Sequence, residues 1–417
     1  MSARVYVVGA GLAGLSAAVA LARKGARVVV CEAAGQAGGR CRSYYDSTLG
    51  CVIDNGNHLV LSGNRAVFDY LRTLGAEQAL IGPARAEFHF ADLKSGERWT
   101  IAPNEGQLPW WIFSRSRRVP GTEPGDYARL AALITAGRSQ RICDVLPCSG
   151  ALWDRLMRPF LLAALNTAPE TASARLAGAV LRETLLKGGQ FYRPRIATPT
   201  LAAAFVDPAL RYLKARDADI RLGQRLRAIV FDLDRAVALE FPDQTIPLAQ
   251  GDGVVLATPP WVTHELIPKL VTPNEFSAIV NAHFKIAPPE GAPPMLGVIG
   301  GTAEWIFAFE DRISVTVSGA DAIVDRERED LAGTLWRDVA RAHNLPDALP
   351  AWQIVKEKRA TFAATPQQAA RRPKTATAWR NLFLAGDWID TGLPATIESA
   401  VRSGEAAARL ALARRSL

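Results

Sequence analysis

The chain has 417 residues, more than one ordinary hydrophobic core takes up, so two or three lobes are expected. Its mean hydropathy is +0.04, yet no run approaches the ~18 apolar residues that span a bilayer, and no signal segment precedes the first strand, so we expect a cytoplasmic protein. The net charge of +8 predicts attraction to a polyanion; because no nucleic-acid-binding motif is present, we expect an anionic membrane surface and no nucleic acid.

The first stretch, residues 5–32, has the pattern of a strand, a glycine-rich turn, a helix and a second strand. Gly9 allows the tight bend, Gly11 lets a pyrophosphate approach the backbone, and Gly14 lets the helix lie close to the sheet. The N–H groups that open the helix face the phosphate charge, and Glu32 is spaced to accept a ribose hydroxyl. The pattern predicts a dinucleotide bound at Gly9, Gly11, Leu12, Ala13, Gly14 and Glu32. Glu32 disfavours NADP and leaves NAD and FAD open.

A second glycine turn, Gly38-Gly39, follows closely and precedes Arg40. A turn of this kind so soon after the acid is expected to bind another anionic part of the same ligand. The alternative is a solvated glycine-rich loop. Near the other end of the chain, residues 382–385 read as a buried strand, and Gly386-Asp387 forms a turn at its carboxyl end, where ligands lie in open α/β sheets.

These motifs, in this order, resemble the flavin amine oxidase and phytoene desaturase superfamily, whose members bind FAD. The resemblance implies FAD as the cofactor, and an α/β fold with a Rossmann-type FAD-binding domain, a mixed-sheet substrate domain and a helical lobe. It also places the start of the last helix, Ala395-Thr396-Ile397, at the flavin, where the helix dipole favours the anionic reduced ring. Asn57 and, as a backbone contact to adenine, Leu226 are further cofactor contacts that it implies.

Residues 54–58 read Asp-Asn-Gly-Asn-His and lie between the flavin motifs in the chain. In the superfamily a segment of the form D-x-G-x-H lies beside the isoalloxazine ring. Gly56 permits close backbone approach, while Asn57 and His58 offer donors to the flavin or to a substrate. His58 and Asp54 are therefore the candidate catalytic residues. For a lone histidine, a purely structural role is the alternative.

The segment from Gln107 to Arg118 places three aromatic residues and an isoleucine beside three arginines. Aromatic rings at headgroup depth with arginines on phosphates are typical of a monotopic membrane contact. The alternative is a core patch beside a solvated basic loop.

The remaining pattern predicts three parts. Residues 127–186 are helical and rich in alanine and leucine, and Pro159 is expected to kink or break one of these helices. A hairpin at residues 87–101 and short strands between residues 262 and 362 indicate a second sheet. We expect residues 1–75, 195–262 and 378–417 to form the FAD-binding domain, residues 76–100 and 263–377 the substrate domain, and residues 101–194 the helical lobe.

The five cysteines match no metal-binding spacing, so reduced structural thiols and no metal site are expected. No Ser/His/Asp arrangement and no second nucleotide site can be identified. Because the second sheet and the helical lobe read as apolar, the expected substrate is lipophilic.

A narrower resemblance covers nearly the whole chain. Residues 54–58 and 385–400 are similar to the squalene-associated FAD-dependent desaturase family, whose members are hydroxysqualene dehydroxylases of bacterial hopanoid pathways. The resemblance implies hydride transfer from reduced FAD to an allylic carbon of hydroxysqualene, loss of the hydroxyl as water, and squalene as the product. His58 or Asp54 would donate the proton or orient a water that does.

Three alternatives remain open. One is a polyisoprenoid desaturase, in which hydride flows from substrate to flavin. The second is a flavin amine oxidase, which should have an aromatic pair flanking the amine and a lysine-bound water near flavin N5; neither can be identified. The third is a non-catalytic, membrane-associated flavoprotein. The sequence does not indicate the electron donor to the flavin.

Overall fold

The computed structural model describes residues 3–415. Residues 1, 2, 416 and 417, which the predicted FAD-binding domain includes, lie outside the described residues. In chain order the strands are β1 (Arg4–Val8), β2 (Arg27–Cys31), β3 (Ser43–Asp46), β4 (Cys51–Asp54), β5 (Leu59–Leu61), β6 (Leu80–Ile81), β7 (Phe88–Asp92), β8 (Arg98–Ile101), β9 (Pro194–Ala197), β10 (Asp219–Arg221), β11 (Ala228–Asp232), β12 (Arg235–Glu240), β13 (Thr245–Pro247), β14 (Gly253–Leu256), β15 (Phe276–Phe284), β16 (Met295–Ile299), β17 (Trp305–Ala308), β18 (Ile313–Val317), β19 (Trp352–Phe362) and β20 (Leu382–Leu384). The α-helices are α1 (Leu12–Arg23), α2 (Arg65–Leu74), α3 (Pro124–Ala128), α4 (Ala131–Ile134), α5 (Ile142–Val145), α6 (Arg158–Leu165), α7 (Ala174–Glu183), α8 (Asp207–Lys214), α9 (Pro260–Leu266), α10 (Arg328–His343), α11 (Pro366–Ala370) and α12 (Ile397–Arg415).

A five-stranded parallel sheet, in the order β10-β2-β1-β14-β20, carries the glycine motifs. Its central strands are rich in valine because helices cover both faces of a parallel sheet. Helices α1 and α12 lie close together, since a Cβ on Gly404 would lie 2.2 Å from the carbonyl oxygen of Ala13. Both helices follow strands that end at the same edge of the sheet. The two ends of the chain are thereby joined at that edge.

A seven-stranded mixed sheet, in the order β19-β15-β18-β17-β16-β7-β8, forms the second layer. Only β16 and β7 pair in parallel in this sheet as the structure describes it. Helix α10 covers one face, where the ring of Trp336 is buried against Phe284. The opposite face turns toward β4 and the segment that follows it, because His283 contacts the carbonyl oxygen of Asp54 at 3.1 Å.

The sequence predicts four helices in the helical lobe, at residues 127–136, 142–146, 149–165 and 173–186. The structure has five shorter ones there, α3 to α7. Pro159 does not break its helix: a π-helical turn, Trp153–Met157, directly precedes α6. A second π-helical turn, Ala202–Val206, precedes α8, whose second residue is Pro208. Proline lacks an N–H and crowds the carbonyl four residues earlier, and the wider turn relieves both problems.

Other predicted elements also differ from the structure. The sequence indicates a strand only at residues 284–286, but β15 runs from Phe276 to Phe284. Most of β15 is buried on both faces, so its sequence lacks the alternation of apolar and polar residues by which a half-exposed strand is predicted. The sequence predicts a strand at residues 226–231, which corresponds to β11, but not β12 or β13 of the same small antiparallel sheet. The predicted boundaries of the three parts stay a prediction. No helix among residues 3–415 is long and apolar enough to cross a bilayer.

Candidate functional site

In the turn between β1 and α1, each glycine is required for a different physical reason. Gly9 has φ of +104°, and its N–H donates to the carbonyl of Cys31 at 2.7 Å. A Cβ on Gly14 would lie 1.8 Å from the carbonyl oxygen of Gly9, so close packing of helix and turn requires glycine there. A Cβ on Gly11 would meet no protein atom within 4 Å. The backbone at Gly11, and the N–H groups of Leu12 and Ala13 that open α1, are therefore placed where an anionic ligand can approach.

Glu32 lies at the carboxyl end of β2, beside this turn. Its carboxylate accepts the N–H of Ala10 at 2.7 Å and the N–H of Ala34 at 2.8 Å. Its own N–H donates to the carbonyl of Arg221 at 2.9 Å, which fixes the backbone. Each carboxylate oxygen can accept a further hydrogen bond, so ribose hydroxyls can still bind.

The second glycine turn packs directly against the first. Gly38 pairs with Gly11 in a β-bridge, and its N–H donates to the carbonyl of Ala10 at 2.8 Å. Its φ of +111° is accessible to glycine at little cost. A Cβ on Gly39 would lie 3.3 Å from the Cα of Gly11. The two turns, separate in the sequence, form one continuous backbone surface.

Arg40 joins this surface to the C-terminal motif. Its guanidinium forms an ion pair with the carboxylate of Asp387 at 2.7 Å and also donates to the carbonyl of Ala360. Asp387 is buried, whereas 43% of the Arg40 side chain is exposed. A Cβ on Gly386 would lie 2.4 Å from Nε1 of Trp388, which explains the glycine in this turn.

The start of α12 lies beyond the same motif. Thr396 caps the helix, because its Oγ1 accepts the N–H of Ser399 at 3.1 Å. Ala395 precedes the cap, and Ile397 is the first helical residue. Ser399 also donates to the carbonyl of Asp387 at 3.3 Å, which fixes the helix start against the turn. The partial positive charge of the helix N-terminus is therefore directed toward the Gly386–Asp387 turn.

Asp54 is held by structural hydrogen bonds. Its Oδ1 accepts the Ser43 hydroxyl at 2.5 Å and the N–H of Leu201 at 2.9 Å. Burial raises its pKa, while these two hydrogen bonds oppose the rise. Asp54 thus fixes β4 to β3 and to the start of the helical segment that leads into α8.

Asn57 connects the predicted flavin segment to the seven-stranded sheet. Its Nδ2 donates to Oγ1 of Thr316 at 3.1 Å, and that hydroxyl donates to Oδ1 of Asn281 at 2.7 Å. A Cβ on Gly56 would lie 3.0 Å from Nδ2 of Asn281, so the segment approaches the sheet closely. Sequence reasoning missed Asn281 and Thr316, because only the pairing of β15 with β18 brings them to Asn57.

His58 carries no positive charge at neutral pH. Burial lowers its pKa to about 4, and the nearby cation of Arg40 acts in the same direction. The neutral ring can accept and donate hydrogen bonds, but it does not hold an extra proton to give away.

Leu226 is buried and lies in the irregular segment before β11, not in the strand that the sequence predicts. Two residues earlier, the N–H of Gln224 donates to the carbonyl of Glu32 at 2.8 Å. This contact brings the segment to the carboxyl end of β2, where Glu32 lies. Leu226 therefore follows, two residues later, a segment that is bonded to the backbone of Glu32, the predicted ribose contact.

Two orphaned polar atoms test whether the site fits FAD. Oδ1 of Asn57 and Oε1 of Gln224 are buried and have no hydrogen-bond partner among the described residues. Gln224 lies beside Glu32 at the predicted ribose end, and Asn57 lies in the predicted flavin segment. An elongated ligand with hydrogen-bond donors near both ends, phosphates at the glycine turns and room above Gly11 fits this arrangement. FAD has all of these features.

Comparison with known proteins supports the same ligand. The model of the family "Flavin containing amine oxidoreductase" matches residues 12–412. The chain belongs to this family, and it is an FAD-dependent oxidoreductase with the predicted α/β fold. Among solved structures, cyclohexylamine oxidase from Brevibacterium oxydans has a TM-score of 0.75 at 15% identity, with 99% of each chain covered. A variant of putrescine oxidase has a TM-score of 0.73 at 16% identity, with the same coverage.

Relatives with higher sequence identity indicate a narrower group within this family. Hydroxysqualene dehydroxylase of Rhodopseudomonas palustris is 54% identical over 414 residues, 99% of both chains. The proteins of that name from Sinorhizobium fredii and Zymomonas mobilis are each 50% identical, with 99% and 98% of both chains covered. Within its family, the chain groups with proteins named hydroxysqualene dehydroxylase, which confirms the predicted resemblance.

The cysteine prediction was partly wrong. Cys143 and Cys148 form a disulfide, because the short helix α5 turns the chain between them and brings their Cα atoms to 5.6 Å. Cys31, Cys41 and Cys51 are free thiols. Within residues 3–415, no group of three His, Cys, Asp or Glu side chains is arranged to hold a metal ion.

Proposed function

We propose that the chain is a hydroxysqualene dehydroxylase, which uses FAD to convert hydroxysqualene into squalene and water. The observation that carries the proposal is full-length similarity, at 50–54% identity, to three proteins of that name. The carbon–oxygen bond breaks, the oxygen takes a proton and leaves as water, and the carbon receives a hydride. Bound FAD, reduced beforehand by a separate two-electron donor, supplies that hydride.

The proposed cofactor contacts are grouped by the part of FAD that each would bind. The pyrophosphate would bind at Gly9, Gly11, Leu12, Ala13, Gly14, Gly38 and Gly39. Glu32 would accept ribose hydroxyls, and Leu226 would contact the adenine. The flavin would lie against Arg40, Asn57, Gly386, Asp387, Ala395, Thr396 and Ile397.

We propose His58 as the residue that orients the water through which the leaving oxygen receives its proton. The lowered pKa supports this role over direct donation, since the ring is neutral at working pH. Asp54 is the weaker candidate because its Oδ1 already accepts two hydrogen bonds. Replacing His58 with Ala should lower turnover about 10- to 100-fold with the flavin retained. His58→Gln, which keeps polar groups there, should recover part of the rate; unchanged turnover in His58→Ala would remove the residue from the mechanism.

The sheet face beside the flavin segment disfavours an amine oxidase. The polar side chains that β15 and β18 direct to this region are Asn281, His283, Ser314 and Thr316. None is the lysine that an amine oxidase should place near flavin N5. A polyisoprenoid desaturase would use the same site with the opposite direction of hydride flow, so the direction has to be measured.

The decisive experiment is anaerobic. The purified flavoprotein is reduced with dithionite and mixed with hydroxysqualene in detergent, while flavin absorbance and squalene formation are followed together. One squalene per flavin reoxidised supports the dehydroxylase. If reduced flavin persists, the proposal fails. A desaturase would instead show reduction of the oxidised enzyme by a polyene.

We also propose that an exposed aromatic patch binds an anionic membrane surface, which would deliver the lipophilic substrate. The patch consists of Leu108, Trp110 and Phe113, each more than 60% exposed, with Arg115 exposed beside them. Within the same segment, Trp111 is buried against Tyr127. Arg118 is buried too, in an ion pair with Glu123. The contact is therefore smaller than the whole predicted segment.

Flotation with vesicles tests this patch. Wild-type protein should float with vesicles that contain phosphatidylglycerol, and a Trp110→Ser, Phe113→Ser double variant should lose about ten-fold or more in binding. Trp261→Ser, outside the segment, serves as the control for loss of an aromatic ring. Equal flotation of the double variant would contradict the proposed contact.

A further inference from the structure

One row of side chains crosses the seven-stranded sheet from the flavin segment. Residues that pair directly across neighbouring strands lie on the same face of a sheet. The pairing of β15, β18, β17, β16, β7 and β8 places six residues in register: Asn281, Thr316, Trp305, Gly297, Phe90 and Trp99. At strand spacings of about 4.8 Å, the row extends about 19 Å from Thr316 to Trp99.

Beyond Thr316 the row is aromatic. The ring of Phe90 stacks on Trp99 with centroids 5.5 Å apart and meets Trp305 edge-on at 5.6 Å. Gly297 makes this arrangement possible, since a Cβ there would lie 2.5 Å from Cε1 of Phe90. The cluster belongs to the same apolar core as Met157, Leu161 and Leu165 of the helical lobe, so its surroundings exclude water.

Two indole groups in the row lack a partner. Nε1 of Trp99 and Nε1 of Trp305 are buried, and neither has a hydrogen-bond acceptor among the described residues. Two other buried indoles have partners: Trp336 donates to the carbonyl of Asp347 at 3.1 Å and Trp388 to that of Thr258 at 3.0 Å. A buried tryptophan normally finds an acceptor. A bound substrate with a hydroxyl group would supply one.

We propose that Trp305 forms the subsite for the reacting end of the substrate, and that Phe90 and Trp99 beyond it bind the adjoining polyene chain. The proposal rests on the proposed dehydroxylase function. The indole N–H of Trp305 donates to the oxygen that leaves, and the aromatic face stabilises the allylic cation that forms as the carbon–oxygen bond breaks. The leaving oxygen receives a solvent proton through the water that His58 orients and departs as water, and the cation then accepts the hydride that reduced FAD would supply, so charge and electrons balance.

The two ends of the aromatic cluster have different roles. The guanidinium of Arg155 lies 5.2 Å from the centroid of Trp99 and is bonded to Glu97 at 2.6 Å. A cation beside Trp99 opposes a second positive charge there, so the substrate cation forms near Trp305. Trp99 and Phe90 bind the neutral polyene chain. Trp305 accordingly affects the chemical step, while Trp99 affects substrate affinity.

The test separates these roles by isotope exchange. Reduced holoenzyme is mixed with hydroxysqualene in ¹⁸O-labelled water, and both squalene and recovered hydroxysqualene are analysed by mass spectrometry. When water recaptures the cation, the recovered alcohol carries ¹⁸O. Trp305→Phe keeps an aromatic face and loses the N–H, so it should slow turnover with an unchanged ratio of exchange to product. Trp305→Leu should also raise that ratio at least ten-fold. Trp99→Leu should raise KM and leave kcat near the wild-type value.

Trp336→Phe is the matched control, because Trp336 is also a buried tryptophan and lies on the helix that covers the opposite face of the sheet. If Trp305→Leu shows wild-type rate and exchange ratio, or if Trp336→Phe shifts the ratio equally, the subsite assignment is overturned. Flavin content and melting temperature of each variant identify loss of folding; if Trp305→Leu does not fold, Trp305→Phe decides alone, and a wild-type rate then overturns the role of the indole N–H. If wild-type protein forms no squalene, the dehydroxylase function fails, and the cation-binding role fails with it.

Discussion

The two sheets contribute to the site in different ways. The parallel sheet offers backbone groups from short stretches of chain: the turn at Gly9–Gly14, the turn at Gly38–Gly39, and the N-termini of α1 and α12. The seven-stranded sheet offers side chains that come from several strands far apart in the sequence. In the glycine turns of the parallel sheet, an added side-chain atom is expected to impair cofactor binding. In the seven-stranded sheet, removal of side-chain atoms is expected to impair turnover.

This difference matches what each sheet has to recognise. A pyrophosphate carries the same charge and geometry in every dinucleotide, so backbone N–H groups and a helix dipole are sufficient. A long apolar substrate has few polar groups, so its position depends on the shape and polarity of side chains that surround it. Variants in the two regions should therefore separate cofactor binding from turnover.

The largest effect is expected for added methyl groups in the first glycine turn. Gly11→Ala should leave the unfolding free energy of the apoprotein within about 0.5 kcal/mol of wild type, because the new Cβ meets no protein atom. It should still weaken FAD binding about a hundredfold, since the methyl group occupies the approach to the pyrophosphate. FAD titration of the apoprotein measures this loss.

Gly14→Ala is the matched variant in the same turn. Its Cβ would lie 1.8 Å from the carbonyl oxygen of Gly9, so the apoprotein should lose about 1–3 kcal/mol of stability as well as FAD. Unchanged FAD affinity in Gly11→Ala would contradict the proposal that the pyrophosphate binds against the backbone of this turn. Equal destabilisation of both apoproteins would show that packing alone explains the glycines.

A smaller effect, on turnover and not on cofactor content, is expected at Asn281. Asn281→Ala removes the acceptor for the Thr316 hydroxyl and for the N–H of Asn57, and it removes the donor to the carbonyl of Asn55. We expect a loss of stability of about 1–3 kcal/mol and turnover about 10- to 100-fold lower, because the reacting groups lose their alignment. Flavin absorbance should be retained, since the phosphates are held by the other sheet.

Asn166→Gly provides the control for this variant. Asn166 is buried beyond the other end of β15, where it binds Ser277, Thr361 and Gly319, and glycine tolerates its φ of 48°. The control should lose comparable stability with turnover near wild type. If both variants reduce turnover equally, Asn281 acts only through folding.

The same contrast explains what could be predicted from the sequence. Gly9, Glu32, Gly38 and Asp387 lie in short motifs whose local pattern reports their geometry, and the structure brings all four to one edge of the parallel sheet. Asn281 and Trp305 lie in no motif. Their positions depend on strand pairing between residues far apart in the chain, which no local pattern reports. For the same reason β15 was predicted at only its last residue and the two residues beyond it. The disulfide between Cys143 and Cys148 was not foreseen for a different reason: the cysteines match no known spacing, and only the turn of the short helix α5 brings their Cα atoms to 5.6 Å.

The smallest effect concerns stability alone and lies directly before the first residue of β17. Glu304 precedes Trp305 and lines a cavity of about 350 Å³ together with Arg158. Burial raises the pKa of its carboxyl to about 7, although the N–H of Ser318 bonds to it at 2.7 Å. A carboxyl whose pKa is higher in the folded state binds its proton more tightly there than in the unfolded chain. Its stabilising contribution is therefore present at low pH and is lost between about pH 4.5 and pH 7.

Glu304→Gln removes this ionisation and keeps an acceptor for the N–H of Ser318. The variant should gain about 1–3 kcal/mol relative to wild type between pH 5 and pH 8, as measured by urea unfolding at both pH values. Because Glu304 makes no contact with the Asn57 segment in the described structure, the pH profile of turnover should keep its shape. A profile that loses an inflection near pH 7 would instead give Glu304 a part in the chemistry. The set of side chains that act on the substrate would then include Glu304, the residue directly before β17.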